Sequence, residues 1–337
     1  MIERYIEKVR RKENLSAAEM VLVMKAIMMV QASEQEMAAI LVAFNEKKLS
    51  VEEMTAAAKT LRQFAISVRT KHTLLLDTCG TGGDTKGTFN ISTAVAFVVA
   101  GAGVAVAKHG NRSVSSKCGS ADILEQLGVK IDLESDRLGK CLDKVGIAFL
   151  FAQTLHPAMK NIAPVRKKLG IKTIFNILGP LANPANATNQ LIGVYSLELV
   201  KPLAEVLKEL GLRKGLVVHG TDGLDEVTTT AKTSIAEYNG KEVVSYEINP
   251  LDLGIPLAKP ADLKGGDAVT NAAILTDVFG GKRGPKRDIV VLNAACALYA
   301  AEKVIDIKAG VQLANEVIDA GKAKAKLEEL KRFTNKI

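Results

Sequence analysis

The sequence predicts an α/β protein in two parts: a small all-helical domain, and a large domain whose mostly parallel central sheet is flanked by helices. Two observations predict this fold class. The first 70 residues contain no glycine and place apolar residues at helical spacing. From residue 73 onward, short apolar runs alternate with helical patterns, as they do in proteins built around a buried parallel sheet.

The length of 337 residues also favours two domains, at roughly 100–200 residues per domain. We place the helical domain at residues 1–70, with part of residues 160–185 joining it, and the large domain at residues 71–337. The segment 156–184 interrupts the strand–helix alternation with several prolines and glycines, which indicates a crossing between the domains. Such interfaces are favoured places for small-molecule sites.

Within the helical domain, three Ser-x-x-Glu capping boxes mark helix starts, at Ser16, Ser33 and Ser50. In this motif the serine and glutamate side chains satisfy backbone amides that the first turn of a helix leaves unpaired. Each box precedes a run of apolar residues at helical spacing. Because the connections between these runs are short, we predict helices that pack antiparallel.

In the large domain, apolar runs predict strands that are buried on both faces: residues 73–77, 104–108, 147–152, 190–195 and 215–220. Asn239-Gly240 then lies between two alternating runs in residues 234–248, which is the pattern of a β-hairpin. We predict two or three helices, rich in Ala, Lys and Glu, after this hairpin.

Composition narrows the possible partners and the location. The formal net charge of +8 suits nucleic acids and small polyanions equally. Only 4% of residues are aromatic, none is Trp, and the lysines are scattered, so nucleic-acid binding is not expected. The four cysteines form no Cys-x-x-Cys pair, the N-terminus lacks a secretory pattern, and glycines break the longest apolar run. We therefore expect a cytoplasmic protein that does not enter a membrane.

The stretch GTGGDTKGTFNIST, residues 80–93, follows the first predicted strand and precedes a helical run. The carboxyl ends of parallel strands and the N-termini of helices attract anions, so this loop is placed to bind phosphate. It matches neither familiar nucleotide motif. A dinucleotide fingerprint would need glycine at Thr85, and a P-loop would need lysine at Thr88.

A second polar loop, KHGNRSVSSKCGSAD at residues 108–122, follows the next predicted strand and also ends in a helix. Lys108, Arg112 and Lys117 offer cations to anionic oxygens, while the serines of the loop offer hydrogen-bond donors. Two such loops after consecutive strands predict a site for two anionic groups.

A third stretch, GTDGLDEVTTT at residues 220–230, contains the adjacent acids Asp225 and Glu226. On an irregular loop both carboxylates can turn towards one place, and the hydroxyl of Ser92 can join them. Oxygen ligands of this kind suit Mg²⁺, which keeps several waters and bridges substrate phosphates. The sequence has no His/Cys cluster with zinc spacing.

Taken in order, GTGGD, NIST, the 108–122 loop, the 156–184 segment and the Asp225-Glu226 pair resemble the anthranilate phosphoribosyltransferase family over essentially the whole chain. The resemblance implies a fold like that of nucleoside phosphorylases and phosphoribosyltransferases, and a homodimer formed through the helical domain. It implies transfer of the phosphoribosyl group of 5-phosphoribosyl 1-pyrophosphate (PRPP) to the amine of anthranilate, in tryptophan biosynthesis. The products are N-(5-phosphoribosyl)anthranilate and pyrophosphate.

The resemblance also implies the site residues. Catalysis would involve Lys108, His109, Asp225 and Glu226, and two Mg²⁺ ions would be held by Ser92, Asp225 and Glu226. Anthranilate would contact Gly80, His109, Asn111, His156, Arg166 and Gly179. PRPP would be bound by Gly80, Thr81, Gly82, Gly83, Asp84, Thr88, Asn90, Ile91, Ser92, Thr93, Lys108, Gly110, Asn111, Arg112, Ser113, Ser115, Ser116 and Ser120.

Two alternatives remain open at this point. A pyrimidine nucleoside phosphorylase-like enzyme shares the GTGGD motif but uses inorganic phosphate and has no need of the acidic pair. A non-catalytic nucleic-acid-binding relative of this fold is compatible with the charge of +8.

Overall fold

A computed structural model of the protein describes residues 1–112 and 118–336. Its N-terminal part is helical, with α1 Glu3–Arg10, α2 Ala17–Met28, α3 Glu34–Lys47 and α4 Val51–Gln63. The three predicted capping boxes are present, each with both of its hydrogen bonds, at the starts of α2, α3 and α4. Local sequence therefore sets where these helices begin.

The large part is built on a seven-stranded sheet with the order β3-β2-β1-β4-β5-β6-β7. The first five strands along the chain pair parallel, and β6 and β7 form the predicted antiparallel hairpin at one edge. The strands are β1 Leu76–Asp77, β2 Val106–Gly110, β3 Ile147–Phe151, β4 Asn189–Gly193, β5 Lys214–Gly220, β6 Thr233–Tyr238 and β7 Val243–Ile248. The predicted fold class is confirmed.

Strand order reverses at β1, which lies between β2 and β4. In an open parallel sheet such a point leaves a crevice at the carboxyl ends of the strands, because the connections leave in opposite directions on either side of it. The glycine-rich loop begins directly after β1. The fold therefore places that loop at the position where ligands of such sheets bind.

The remaining helices surround this sheet. Within the described residues, the segment 156–184 forms two helices of its own, Met159–Leu169 and Ile174–Leu181. Four helices follow the hairpin in this part of the chain, rather than the predicted two or three. The helices are α5 Ile91–Gly101, α6 Ser120–Gln126, α7 Ser135–Val145, α8 Ala152–Leu155, α9 Met159–Leu169, α10 Ile174–Leu181, α11 Val200–Glu209, α12 Ala268–Phe279, α13 Pro285–Ala300, α14 Ile307–Asp319 and α15 Lys322–Asn335. Within the described residues, no helix has the length and hydrophobicity that spanning a bilayer requires.

The two faces of the sheet pack into different apolar cores. Neighbouring residues of a strand point to opposite faces, so Leu191 and Leu216 join the core under α5 and α13, whereas Ile192 and Val217 join the other. That second core also contains the apolar faces of α1–α4, α9, α10 and α11. The helical part thus packs against α9, α10 and α11, which share a continuous core with this face of the sheet.

A buried ion pair in the helical part generates a stability prediction. The Glu53 carboxylate is fully buried; it accepts hydrogen bonds from the amides of Leu15 and Ser50 and pairs with Lys47 at 2.7 Å. Glu53→Gln leaves the Lys47 ammonium buried without its counter-charge, so we expect the free energy of unfolding to fall by about 3–5 kcal/mol in urea denaturation. The exposed Glu46, changed to Gln, is the control and should alter it by less than about 0.5 kcal/mol.

Candidate active site

The glycine-rich loop follows a backbone path that most side chains disfavour. Gly82, Gly83 and Gly87 have φ of +64°, +86° and +67°, in the left-handed region. Thr85 also lies there, with φ of +59°, an unusual conformation for a β-branched residue. The glycines are therefore needed for the turn itself, and they leave backbone N–H groups uncovered by side chains.

Three strand ends meet at this loop with almost no side chain between them. The Thr81 amide donates to the Gly193 carbonyl at 2.9 Å, which ties the loop after β1 to the end of β4. A Cβ atom on Gly80 would lie 2.8 Å from the Gly193 oxygen, and one on Gly193 would lie 1.6 Å from the carbonyl oxygen of Asp225. Because these approaches are so close, the loop after β5 reaches the glycine-rich loop directly.

The result is a cluster of three acids, Asp84, Asp225 and Glu226. The Asp225 amide lies 3.5 Å from the Asp84 carboxylate. Burial, Asp84 and Glu226 raise the pKa of Asp225 well above its usual range. Burial and Asp84 raise the pKa of Glu226 to about 8, with Lys108 opposing the rise. Buried carboxylates whose pKa is raised by neighbouring carboxylates are suited to binding a divalent cation.

Lys108 lies near these acids, since its charge acts on Glu226. Its side chain is buried in the middle of β2, and its ammonium donates to the carbonyls of Thr78 and His109 at 3.3 and 3.4 Å. The backbone of Ser92, in the first turn of α5, lies close enough to the Glu226 carboxylate to lower its pKa. The start of α5, a buried cation and the acidic cluster therefore lie close together.

His109, the residue after Lys108 in β2, lies beside helix α10. Nδ1 of His109 donates to the Gly179 carbonyl of α10 at 3.1 Å, which leaves Nε2 as the acceptor. Nε2 is buried and has no hydrogen-bond partner within the described residues. The His156 ring lies 5.1 Å away, centre to centre. A Cβ atom on Gly179 would meet no described atom within 4 Å, so this face of α10 borders open space.

Arg166 of α9 lies in the same helical segment. Its guanidinium is 5.5 Å from the ring centre of Phe175, and one nitrogen lies 3.4 Å from the Asn176 side-chain oxygen. Partial burial lowers the pKa of Arg166, although arginine stays charged at any ordinary pH. Within the described residues, the guanidinium makes this one long hydrogen bond, so most of its donors are available to a ligand.

The polar loop after β2 is held by side chains as well as backbone. Arg112 pairs with Asp122 and Glu125, and Asn111 accepts hydrogen bonds from the Arg112 amide and from Gln153. Ser120 donates to the Asn111 carbonyl. A Cβ atom on Gly110 would lie 2.3 Å from the Ser120 hydroxyl, so only glycine fits there. The predicted site residues Ser113, Ser115 and Ser116 lie outside the described residues.

The remaining predicted residues lie where the glycine-rich loop enters α5. The backbones of Thr88 and Lys264 form an isolated antiparallel β-bridge. The Asn90 side chain donates to the Cys118 carbonyl and accepts from Asn271. Ile91 and Thr93 are buried in the first turn of α5, so their contribution to any ligand is through backbone groups.

Sequence reasoning missed several residues of this cleft. Gly193 is required by the close approach described above, and Lys172 places its ammonium 3.6 Å from the Tyr195 ring centre, beside Gly83. It also missed Asp77 and Asn183, which are fully buried and hydrogen-bonded to each other. An acid at the end of the apolar run TLLLD was the available signal, because an unpaired buried carboxylate is costly.

Comparisons with known proteins agree with this geometry. Models described as the helical bundle domain and the a/b domain of a glycosyl transferase family match residues 3–65 and 72–324. The anthranilate phosphoribosyltransferase of Petrotoga mobilis is 50% identical over 335 residues, which are 99% of this chain and 97% of that protein.

Solved structures are similar as well. The Thermus thermophilus enzyme superposes with a TM-score of 0.93 at 42% identity, covering 98% of this chain and 99% of that one. The Saccharomyces cerevisiae enzyme in complex with PRPP and Mg gives 0.90 at 27% identity, covering 100% and 98%. The chain belongs to the anthranilate phosphoribosyltransferase family.

The two buried histidines generate a pH prediction. Burial lowers the pKa of His109 to about 3 and that of His156 to about 4. The unfolded chain takes up protons at these rings below about pH 6.5, whereas the folded protein does not. The two histidines therefore lower the free energy of unfolding as pH falls from about 6.5 to 4.

Two measurements check this assignment. We expect the imidazole NMR signals of both histidines to stay constant between pH 8 and 5. His156→Gln should make stability in urea less pH-dependent over that range; an unchanged slope would contradict the assignment.

Proposed function

We propose that this cleft transfers the phosphoribosyl group of PRPP to the amine of anthranilate, giving N-(5-phosphoribosyl)anthranilate and pyrophosphate in tryptophan biosynthesis. The observation that carries the proposal is the cluster of Asp84, Asp225 and Glu226 facing the glycine-rich loop, with Lys108 beside it. A nucleoside phosphorylase, which binds a single phosphate, has no need of three converging acids. A nucleic-acid binder has none either.

The phosphates of PRPP are assigned to the glycine-rich loop, the first turn of α5, Lys108 and the loop after β2. Support comes from the left-handed turn at Gly82 and Gly83, residues that carry no side chain, and from the buried ammonium of Lys108. Displacing pyrophosphate develops negative charge on the leaving oxygens, and oriented donors in a dry cleft stabilise that charge. The proposed PRPP contacts are Gly80–Asp84, Thr88, Asn90–Thr93, Lys108, Gly110–Ser113, Ser115, Ser116 and Ser120.

Magnesium fits the acidic cluster. Asp225 and Glu226 with Ser92 are the proposed ligands, and the position of Asp84 adds it to the set. Three acids supply enough charge and oxygen atoms for two ions, each keeping water and substrate oxygens in its shell. Bound magnesium neutralises charge on the departing pyrophosphate.

Anthranilate is assigned to the pocket beside Gly179, together with Gly80, Asn111 and His156. Arg166 presents a planar set of donors that matches a carboxylate. Nε2 of His109, fixed as an acceptor by the bond to Gly179, is oriented to hold an N–H of the aromatic amine. Because the pKa of His109 is lowered to about 3, the ring orients the amine rather than removing its proton before attack.

A cytoplasmic location follows as a proposal from the thiols. Cys79, Cys118, Cys141 and Cys296 form no disulfide bonds with one another. Cysteines that are not joined in disulfides are typical of proteins that work in reducing compartments.

Turnover tests the proposed function. With Mg²⁺ and PRPP, we expect the purified protein to consume anthranilate, followed as a loss of its fluorescence; no turnover at saturating substrates would overturn the proposal. Asp225→Asn combined with Glu226→Gln should lower kcat/KM by at least about 100-fold, since several kcal/mol of charge stabilisation is lost. The exposed Asp132, changed to Asn, is the matched control.

The magnesium dependence of turnover should also change with pH. The magnesium concentration that gives half-maximal activity should rise as pH falls below about 8, because Glu226 must lose its proton to bind the ion.

Homodimer formation is the second testable part of the proposal. Leu22, Met29 and Val30 of the helical part expose 51%, 54% and 59% of their surface. We propose that a second copy covers them, because exposed apolar side chains on neighbouring turns favour association. Leu22→Asp should convert a dimer to a monomer in sedimentation equilibrium, whereas Ile305→Asp, at an 89% exposed residue of the large part, should not. A wild-type monomer would refute the proposed dimer.

A further inference from the structure

A buried carboxylate that is not among the proposed substrate contacts lies at the end of β1, just before the glycine-rich loop. Asp77 ends β1 and is fully buried. Its Oδ1 accepts hydrogen bonds from the amides of Cys79 at 3.0 Å and His109 at 3.1 Å, and its Oδ2 accepts from Nδ2 of Asn183 at 2.8 Å. One side chain is thus bonded to the start of the glycine-rich loop and to the end of β2.

Asn183 extends this network to the helical segment. Its Nδ2 also donates to the Ala107 carbonyl at 2.8 Å, and its Oδ1 accepts from the Ala185 amide at 2.8 Å. Asn183 directly follows α10, which contains Gly179. Asp77 therefore connects the elements proposed to hold the two substrates.

The charge of Asp77 has a partner in the same cleft. Lys108 lowers the pKa of both Asp77 and Glu226, which places its ammonium near each carboxylate. Burial nevertheless raises the pKa of Asp77 to about 6. The ammonium is bonded to the carbonyls of Thr78 and His109, and Asp77 accepts from the amides of Cys79 and His109 in the same two segments. Asp77 therefore fixes the groups that hold the ammonium, and its nearby negative charge favours the charged form of Lys108.

The same residues do not form a metal site. Ligand atoms of Asp77, Cys79 and His109 lie within 4.8 Å of one another. Both Asp77 oxygens, however, already accept hydrogen bonds, and Nδ1 of His109 donates to Gly179. Burial also raises the pKa of the Cys79 thiol to about 12, so no thiolate is available there. The geometry is that of a hydrogen-bonded support.

We propose that Asp77 is a positioning residue for the transfer reaction: it holds the glycine-rich loop and the end of β2 in register, and it orients the Lys108 ammonium towards the leaving pyrophosphate. This inference rests on the proposed function, because it names what supports the phosphate-binding groups of that site. Asp77 acts through Lys108 and the loop amides and does not touch substrate.

Asp77→Asn is the most direct test. The substitution keeps the size of the side chain, but it removes the charge and turns an NH₂ group towards Nδ2 of Asn183. We expect kcat to fall and the KM for PRPP to rise, for a combined loss in kcat/KM for PRPP of about 10- to 100-fold, as for a displaced supporting group. The KM for anthranilate should change less than about threefold.

A matched control separates positioning from stability. Asn189→Ala removes two hydrogen bonds, from Nδ2 to the Ala300 carbonyl and from the Thr188 hydroxyl to Oδ1, at the amino end of β4. Asn189 pairs with Leu76, next to Asp77, but its side chain bonds to no described residue of the glycine-rich loop or of β2. It should lower Tm but leave both KM values and kcat within about twofold, measured well below the Tm of each variant. If Asn189→Ala reproduces the kinetic losses of Asp77→Asn, the loss reflects stability and the inference is wrong.

Coupling to Lys108 supplies a readout that a purely structural role would not change. In a Lys108→Met background, Asp77→Asn should lower kcat by less than about threefold, because the group it orients is already absent. An equal loss in both backgrounds, or wild-type kinetics for Asp77→Asn, would overturn the inference. If Asp77→Asn does not fold, Asn183→Ser tests the same network with a milder loss, and retention of wild-type constants there would also overturn it. Absence of turnover by the wild-type protein would instead count against the proposed function.

Discussion

The cleft depends on how closely three backbone segments approach one another. Gly80 and Gly193 let the loops after β1, β4 and β5 come into contact, since a Cβ atom on Gly193 would overlap the Asp225 carbonyl at 1.6 Å. Only this approach brings the acids of one loop to the amides of another. The chemistry of the site therefore rests on the absence of side chains as much as on their presence.

Electrostatics in the cleft are unbalanced without a ligand. Burial and the neighbouring carboxylates raise the pKa values of Asp225 and Glu226, and Lys108 offsets the rise at Glu226 only in part. If a polyanion and divalent cations bound together, the cations would neutralise the acids and the polyanion would accept hydrogen bonds from the amides of the glycine-rich loop. Because each partner neutralises what the other leaves exposed, sugar pyrophosphate and metal should bind together more favourably than either does separately.

Local signals in the sequence were enough to predict much of this structure. The capping boxes fixed the starts of α2, α3 and α4, and the apolar runs located the five parallel strands to within a few residues. The polar loops and the acidic pair were recognisable because strand ends in parallel sheets share one edge. The roles assigned to single residues, such as Arg166, remain predictions.

What the sequence did not reveal depends on contacts between distant segments. Gly193 looks like any strand glycine until Asp225 is placed against it, and Asn183 gains its meaning only from Asp77, 106 positions away. The prolines and glycines of segment 156–184 predicted a crossing between the domains but did not reveal its helices, since Pro164 and Pro180 lie inside α9 and α10. Proline normally disfavours a helix interior, so local sequence alone does not predict these two helices.

The continuous core between the helical part and the sheet limits how the chain can be divided. Ile192 and Val217 of the sheet lie in one apolar cluster with residues of α1–α4 and α9–α11. Cutting the chain near residue 70 would remove α1–α4 from this core and expose to water the faces of α9, α10 and α11 that pack against them. The two matched family regions should consequently unfold as one cooperative unit, and neither would survive as an independent fragment.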